Sequence, residues 1–131
     1  MNYKPIKTEF RWTGDGFGAA GARLFKQVKR VGDVAIYERT VENSGRQDGY
    51  EVIRILRHNG YTLGGQTVAP AETYPGATQF GKNAWSEATL KSAEVRFNQI
   101  LATDKARADE DAKAAAAGTV VKRRGRPRKA Q

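Results

Sequence analysis

Six basic side chains and no acidic one stand in the last fourteen residues, 118–131. At their centre Arg124-Gly125-Arg126-Pro127 lies between Lys122 and Arg123 on one side and Arg128 and Lys129 on the other. A block of this kind points to a polyanion, and the residue types suit one polyanion surface in particular. The minor groove of B-DNA is only about 6 Å wide, so an extended chain enters it and a helix does not. Pro127 fixes its own φ and pushes Arg126 toward extended geometry. Gly125 has no Cβ, which lets the backbone approach the groove floor. Arg124 and Arg126 would run along the groove where A·T tracts are narrow and the potential is most negative. The guanine amino group obstructs the same floor in G·C pairs. Lys122, Arg123, Arg128 and Lys129 would contact phosphates and release counterions.

Residues 122–129 resemble the AT-hook, a small DNA-binding motif of A·T-rich minor grooves. The resemblance implies A·T-rich double-stranded DNA as partner and Lys122, Arg123, Arg124, Gly125, Arg126, Pro127, Arg128 and Lys129 as the binding residues. A single hook implies weak binding with steep salt dependence, which localises a protein rather than acting alone. A basic tail also suits solubility, nuclear import or RNA, on which arginine-rich segments fold.

Other chemistry-bearing residues form weaker patterns. Gly16 to Gly21 matches G-x-G-x-x-G, but a dinucleotide site needs an apolar strand before it and a helix after it. The preceding KTEFRWT is polar and charged. His58 is the one histidine and there is no cysteine, so a metal site or a catalytic triad is not expected. His58 precedes Asn59-Gly60 and reads as a surface turn residue. Glu38, Glu42, Asp48 and Glu51 cluster around one hairpin, where an acid/base pair is conceivable, although solvated strand and loop charges are the simpler reading. Tyr37, Tyr50, Tyr61, Tyr74, Phe80 and Trp85 offer either a base-stacking surface or a core. The expectation is a protein with no catalytic constellation and no cofactor.

The elements that must carry the tail come from the remaining chain. At 131 residues and 39% hydrophobic, it suits one domain with an appendage. Residues 1–102 hold fourteen basic and ten acidic side chains, and 103–131 hold nine and four. MNYKPIKTEF lacks the apolar core of a signal peptide, and no run approaches the ~18 apolar residues of a membrane span. The expectation is a soluble cytoplasmic protein without a membrane partner, associated with the nucleoid.

Phe10 and Trp12 alternate with polar neighbours and predict a half-buried strand. Leu24 to Val31 fits a short helix or a strand, with apolar positions 24, 25, 28 and 31 at helical spacing. Gly32-Asp33 is a turn, and Val34 to Val41 is a β-branched and aromatic strand. ENSGRQDG, 42–49, reads as a turn and Tyr50 to Arg57 as a second strand, antiparallel to the first. Val34, Ile36, Ile53 and Ile55 are candidates for the buried face. Short edge strands are expected at Tyr61 to Leu63 and Thr67 to Ala69.

A helix is expected over 86–102, with Ser86 as N-cap, Glu87 in the first turn and a Trp85–Leu90 staple. Its stripe of Leu90, Ala93, Phe97, Ile100 and Leu101 should pack on the sheet. Residues 103–117 keep helical propensity without large apolar side chains and read as a solvated spacer ended by Gly118. The final residues 118–131 cannot bury a core and are expected to be disordered when free.

The predicted fold is therefore α+β. It has a domain over 1–102, built from a small antiparallel sheet of three to five strands with one packed C-terminal helix, then a spacer helix over 103–117 and a tail. The two central strands together with Phe80-Gly81, Trp85 and the helix resemble small uncharacterised proteins of tailed bacteriophages. There is also a looser similarity to the WGR domain in the Ala93-to-Phe97 spacing, without Trp-Gly-Arg itself, and no activity follows from either. The functional expectation is a non-enzymatic DNA-associated protein whose tail tethers a small globular module. The alternative is a phage-type module that captures or inhibits a host protein through 1–102, with the tail auxiliary.

Overall fold

A computed structural model describes residues 2–13 and 21–118. Among the described residues nine strands and one long helix follow in order: β1 Glu9–Trp12, β2 Arg23–Val31, β3 Val34–Val41, β4 Gln47–Arg54, β5 Leu56–His58, β6 Tyr61–Leu63, β7 Gln66–Val68, β8 Ala71–Thr73, β9 Ala84–Glu87 and α1 Leu90–Ala116. The main sheet is antiparallel, with strand order β1-β2-β3-β4-β9. With α1 packed beside it, the architecture is α+β. The chain divides between Asn98 and Gln99 into two units.

Local chemistry sets the turns. A two-residue loop joins β2 to β3, with Gly32 at φ +60 and no positive φ at Asp33. Glycine at the first central position suits the right-handed strand twist. The register pairs Ala35 with Ile53 and Ile36 with Val52. Alternation then sends Ala35, Tyr37, Ile53 and Ile55 to one face and Val34, Ile36 and Val52 to the other. Every one of these residues is buried. The four expected core residues are thus buried, but Val34 and Ile36 lie on the opposite face from Ile53 and Ile55. The uninterrupted apolar run VAIY carries the reason: a strand covered on both sides has no polar face to show.

On the first face, Phe25, Ala35, Tyr37, Ile53, Ile55 and Ala84 form a core joined by Ile6, Phe10 and Tyr74. The segment from β5 to β8 supplies Tyr74 to it. Within that segment β5 pairs with β8, and β6 pairs with β7 through Gly64-Gly65 as a separate hairpin. The expected strand over 50–57 is consequently two strands, interrupted at Ile55.

On the second face, α1 brings Ala93 (0% exposed) and Phe97 (1%) down as buried residues, with the Lys29 ammonium 4.9 Å from the Phe97 ring centroid. Within the expected stripe Ile100 is also buried and Leu101 half-buried, whereas Leu90 is exposed.

One open reading is decided and one expectation needs correction. Of the helix and the strand left open for Leu24 to Val31, the strand forms. A bulge between Gln27 and Lys29 inserts Val28, so the period-2 signal slips midway and mimics helical spacing. The helix does not begin at Ser86, and the spacer helix expected over 103–117 is its direct continuation and not a separate element. Ala84–Glu87 joins the sheet as the edge strand beside β4, burying Ala84 completely. Thr89 caps the helix instead: its Oγ1 accepts the Ser92 N–H at 3.1 Å, and the Ala93 N–H reaches the Thr89 carbonyl at 3.0 Å. Glu87, freed from a first-turn role, accepts from Arg96 Nε at 3.0 Å. The helix continues without interruption to Ala116 and closes on Gly118, at φ +75, whose N–H donates to the Ala115 carbonyl.

Candidate functional site

Alternation along β3 places Arg39 on the same face as Tyr37, and the β3–β4 register sets Glu51 opposite Tyr37 and Gly49 opposite Arg39. Arg39 thereby reaches two carboxylates. Its Nη1 donates to Glu51 Oε2 at 2.6 Å, its Nε to Asp48 Oδ2 at 3.1 Å and its Nη2 to the Asp48 carbonyl at 2.9 Å. Arg23 of β2 adds a second donor to Asp48 Oδ2 at 2.6 Å. Gly49 is required here. At φ +118 a Cβ would stand 3.1 Å from the Glu87 carbonyl oxygen and 3.3 Å from Arg39 Nη2, against backbone and against the guanidinium that ties the carboxylates together.

Glu51, 4% exposed, has its other oxygen occupied as well, since the Tyr74 hydroxyl donates to Oε1 at 2.5 Å. Tyr74 sits edge-on to Tyr37 at 5.1 Å, Phe10 at 5.2 Å and Phe25 at 5.9 Å. Burial, and next the neighbouring Glu51 charge, push the Tyr74 phenol far above its usual range, so it remains a donor. Desolvation raises the Asp48 carboxyl, but the Arg23 hydrogen bond and the Arg39 and Arg23 charges outweigh it, and the net direction is down. Tyr37 completes the layer by donating to the Lys7 carbonyl at 2.7 Å and accepting from Gln27 Nε2 at 3.1 Å.

A second hub ties the N-terminal segment to the sheet. Glu72 of β8 accepts from Arg30 Nη1 and Nη2 at 3.0 and 2.9 Å, from Arg57 Nη2 at 3.1 Å and from the Ile6 N–H at 3.0 Å. Arg57 also clamps Asp33 with two bonds of 2.8 and 2.7 Å. The Arg30 hydrogen bonds foremost, then the Ile6 N–H, hold the Glu72 carboxyl at about 2. A depressed folded-state value contributes stability in full above the unfolded carboxyl range, and the contribution disappears as pH falls toward the folded value. Urea midpoints should therefore stay level down to about pH 5 and decline between about 4.5 and 2. Glu72→Gln should lower the midpoint at pH 7 and flatten that decline. A variant whose decline runs parallel to the native one would remove Glu72 from this account.

With these partners in place, what the buried charges do chemically is hold strands together. Glu38 and Glu42 are engaged too, with Gln47 Nε2 and with Arg11. The reading of the four carboxylates as solvated charges is therefore corrected for Glu51 and Asp48, which are packed against arginines. Among the described residues no group of three or more histidine, cysteine, aspartate or glutamate residues is arranged to hold a metal.

Comparison with family models, with curated proteins and with solved structures finds no match for this chain. Function must accordingly be argued from its own residues. The tail residues Lys122 to Lys129 lie outside the described residues, as do Gly16 to Ala20. Downstream of those glycines stands β2, a strand, where a dinucleotide site would need a helix. His58 behaves as a turn residue: its Nδ1 accepts the Gly60 N–H at 3.0 Å and its ring meets Tyr61 edge-on at 5.1 Å.

The six aromatic residues divide. Tyr37 and Tyr50 are buried and Tyr74 is packed in the core, so they offer no common stacking surface. Tyr61 and Phe80 are exposed, and Trp85 is half-buried beneath two arginines. Among the described residues no helix is long and apolar enough to cross a membrane.

Sequence reasoning missed Arg23, Arg39, Arg30, Arg57 and Glu72, and placed Tyr74 among core or stacking aromatics without its bond to Glu51. The signal for Arg39 was present in the alternation of VAIYERTV, which places it two residues beyond Tyr37 on the same face. Tyr74 and Glu72 lie in a loop-rich stretch whose docking against the sheet has no periodic signature.

Proposed function

We propose that this protein is a non-enzymatic DNA-associated protein. Its tail would bind the minor groove of A·T-rich duplex DNA and tether the folded unit there. The observation that carries the reading is the Arg124-Gly125-Arg126-Pro127 core with basic residues on both flanks. Fixed φ at proline, an absent Cβ at glycine and two arginines that would extend along the floor meet the requirements of a narrow, negative groove. Supporting it, the segment leading to the tail is helical through Ala116. The eighteen residues Gln99–Ala116 span about 27 Å at helical rise, and the positions after 101 are largely exposed. An exposed helix of that length suits a spacer.

The test is a gel shift with A·T-rich and G·C-rich duplexes. The full chain should prefer the A·T-rich duplex, and a 1–117 truncation should lose that preference. Arg126→Ala and Gly125→Glu should each weaken binding sharply, the first by removing a groove cation and the second by placing a bulky negative group at the floor. Unchanged affinity after truncation would take the tail out of the account.

A protein-capturing module is the second reading, and one observation favours it. The β6–β7 hairpin is uncharged and exposes Leu63 (69%) and Tyr61 (50%), as a protein-docking arm would. A partner retained by the chain lacking its tail, with A·T preference absent from the full chain, would decide for it.

A further inference from the structure

We propose that the Arg54–Trp85–Arg96 rim of the folded unit is a second DNA contact, made to the phosphate backbone; it rests on the DNA-binding reading of the tail. The register puts Trp85 of β9 beside Val52 of β4, on the sheet face that Arg54 shares. The Arg54 and Arg96 guanidinium carbons each lie 5.5 Å from the Trp85 ring, within cation–π range. Arg54 Nη1 is anchored on the Lys82 carbonyl at 2.9 Å. Arg96 donates to Glu87 through Nε, on a side chain 39% exposed. Its terminal nitrogens are placed to receive an anion.

Arg54 and Arg96 thus share one indole ring, with Arg96 beside the Glu87 carboxylate, and Phe80, 43% exposed, bridges to Ala84, the residue before Trp85 in β9. Guanidinium groups pre-stacked on an indole lose less conformational freedom on binding, and their planar forks match phosphate oxygens. Basic side chains interleaved with aromatic ones are the composition of a nucleic-acid surface. Contacts from here would be to phosphates and indifferent to sequence.

The full chain serves for the test, in two backgrounds: the native tail and Arg124→Ala/Arg126→Ala. In each, the salt dependence of duplex affinity is compared for native, Arg54→Gln/Arg96→Gln and Arg54→Lys/Arg96→Lys rims, with thermal melts reporting folding. Two lost phosphate contacts should reduce the log–log salt slope by about 1.8, so the affinity advantage of the native rim shrinks about twelvefold between about 50 and 200 mM salt. The ratio of A·T-rich to G·C-rich affinity should not change, and the lysine rim should restore most of the slope. A folded glutamine variant with the native slope overturns the proposal and leaves the rim as packing around Trp85 or a protein surface. Failure of the tail reading registers separately, as an A·T preference that survives Arg124→Ala/Arg126→Ala.

Discussion

Arg39→Ala should destabilise the folded unit by about 3–5 kcal/mol, the range for breaking one side of a buried ion pair. Arg39 is 14% exposed at its side chain and Glu51 6%, so the pair lies far from the exposed regime in which such contacts contribute about 0–1 kcal/mol. Removing the guanidinium strips Oε2 of Glu51 of its donor and takes one of two donors from Asp48 Oδ2, which keeps Arg23. Tyr74 still serves Oε1, but one hydroxyl does not offset a desolvated negative charge.

The charge left behind is the source of the cost, and a double-mutant cycle isolates it. Arg39→Met and Glu51→Gln should each destabilise, while the combination should be less damaging than the sum, because no stranded carboxylate remains. Urea unfolding at neutral pH reads all four species. An Arg39→Ala cost below about 1 kcal/mol would place the pair with solvated ones and refute a buried hub.

That hub shows where sequence patterns reach and where they stop. The strand pair VAIYERTV and YEVIRIL, the Gly32-Asp33 turn and the Ala93–Phe97–Ile100 stripe were legible because each follows a period that backbone geometry imposes. β2 was ambiguous because one inserted residue at Val28 resets its period. β9 was hidden because Ser86-Glu87 and Thr89 both look like helix starts, and only sheet pairing decides between them. Polar residues were read as exposed by default. Arg39, Glu51 and Glu72 depart from that rule because each finds its partners across strands or loops distant in sequence. The tail is the opposite case: residue types alone, Arg124-Gly125-Arg126-Pro127 between basic flanks, carry the proposal made for it.

Phe97→Ala is the other substitution expected to be severe, at about 3–5 kcal/mol for a buried phenylalanine. The ring is 1% exposed and Ala93, one turn earlier, is fully buried, so little can collapse into the space that truncation leaves. The Lys29 ammonium above the ring would also lose its aromatic partner. Val95→Ala is the matched control, because Val95 is 52% exposed and a surface substitution should change stability by no more than about 0.5 kcal/mol. Since native stabilities run to about 5–15 kcal/mol, Phe97→Ala should bring the unit close to unfolding at 37 °C. On the proposed reading, groove entry by the tail requires no packed core. Preference for A·T-rich duplex should therefore persist in Phe97→Ala above its melting temperature, while the rim's share of the salt slope disappears with the fold. If A·T preference vanished in the same transition as the tertiary signal, groove recognition would belong to the folded unit, and the division of labour between tail and domain would be wrong.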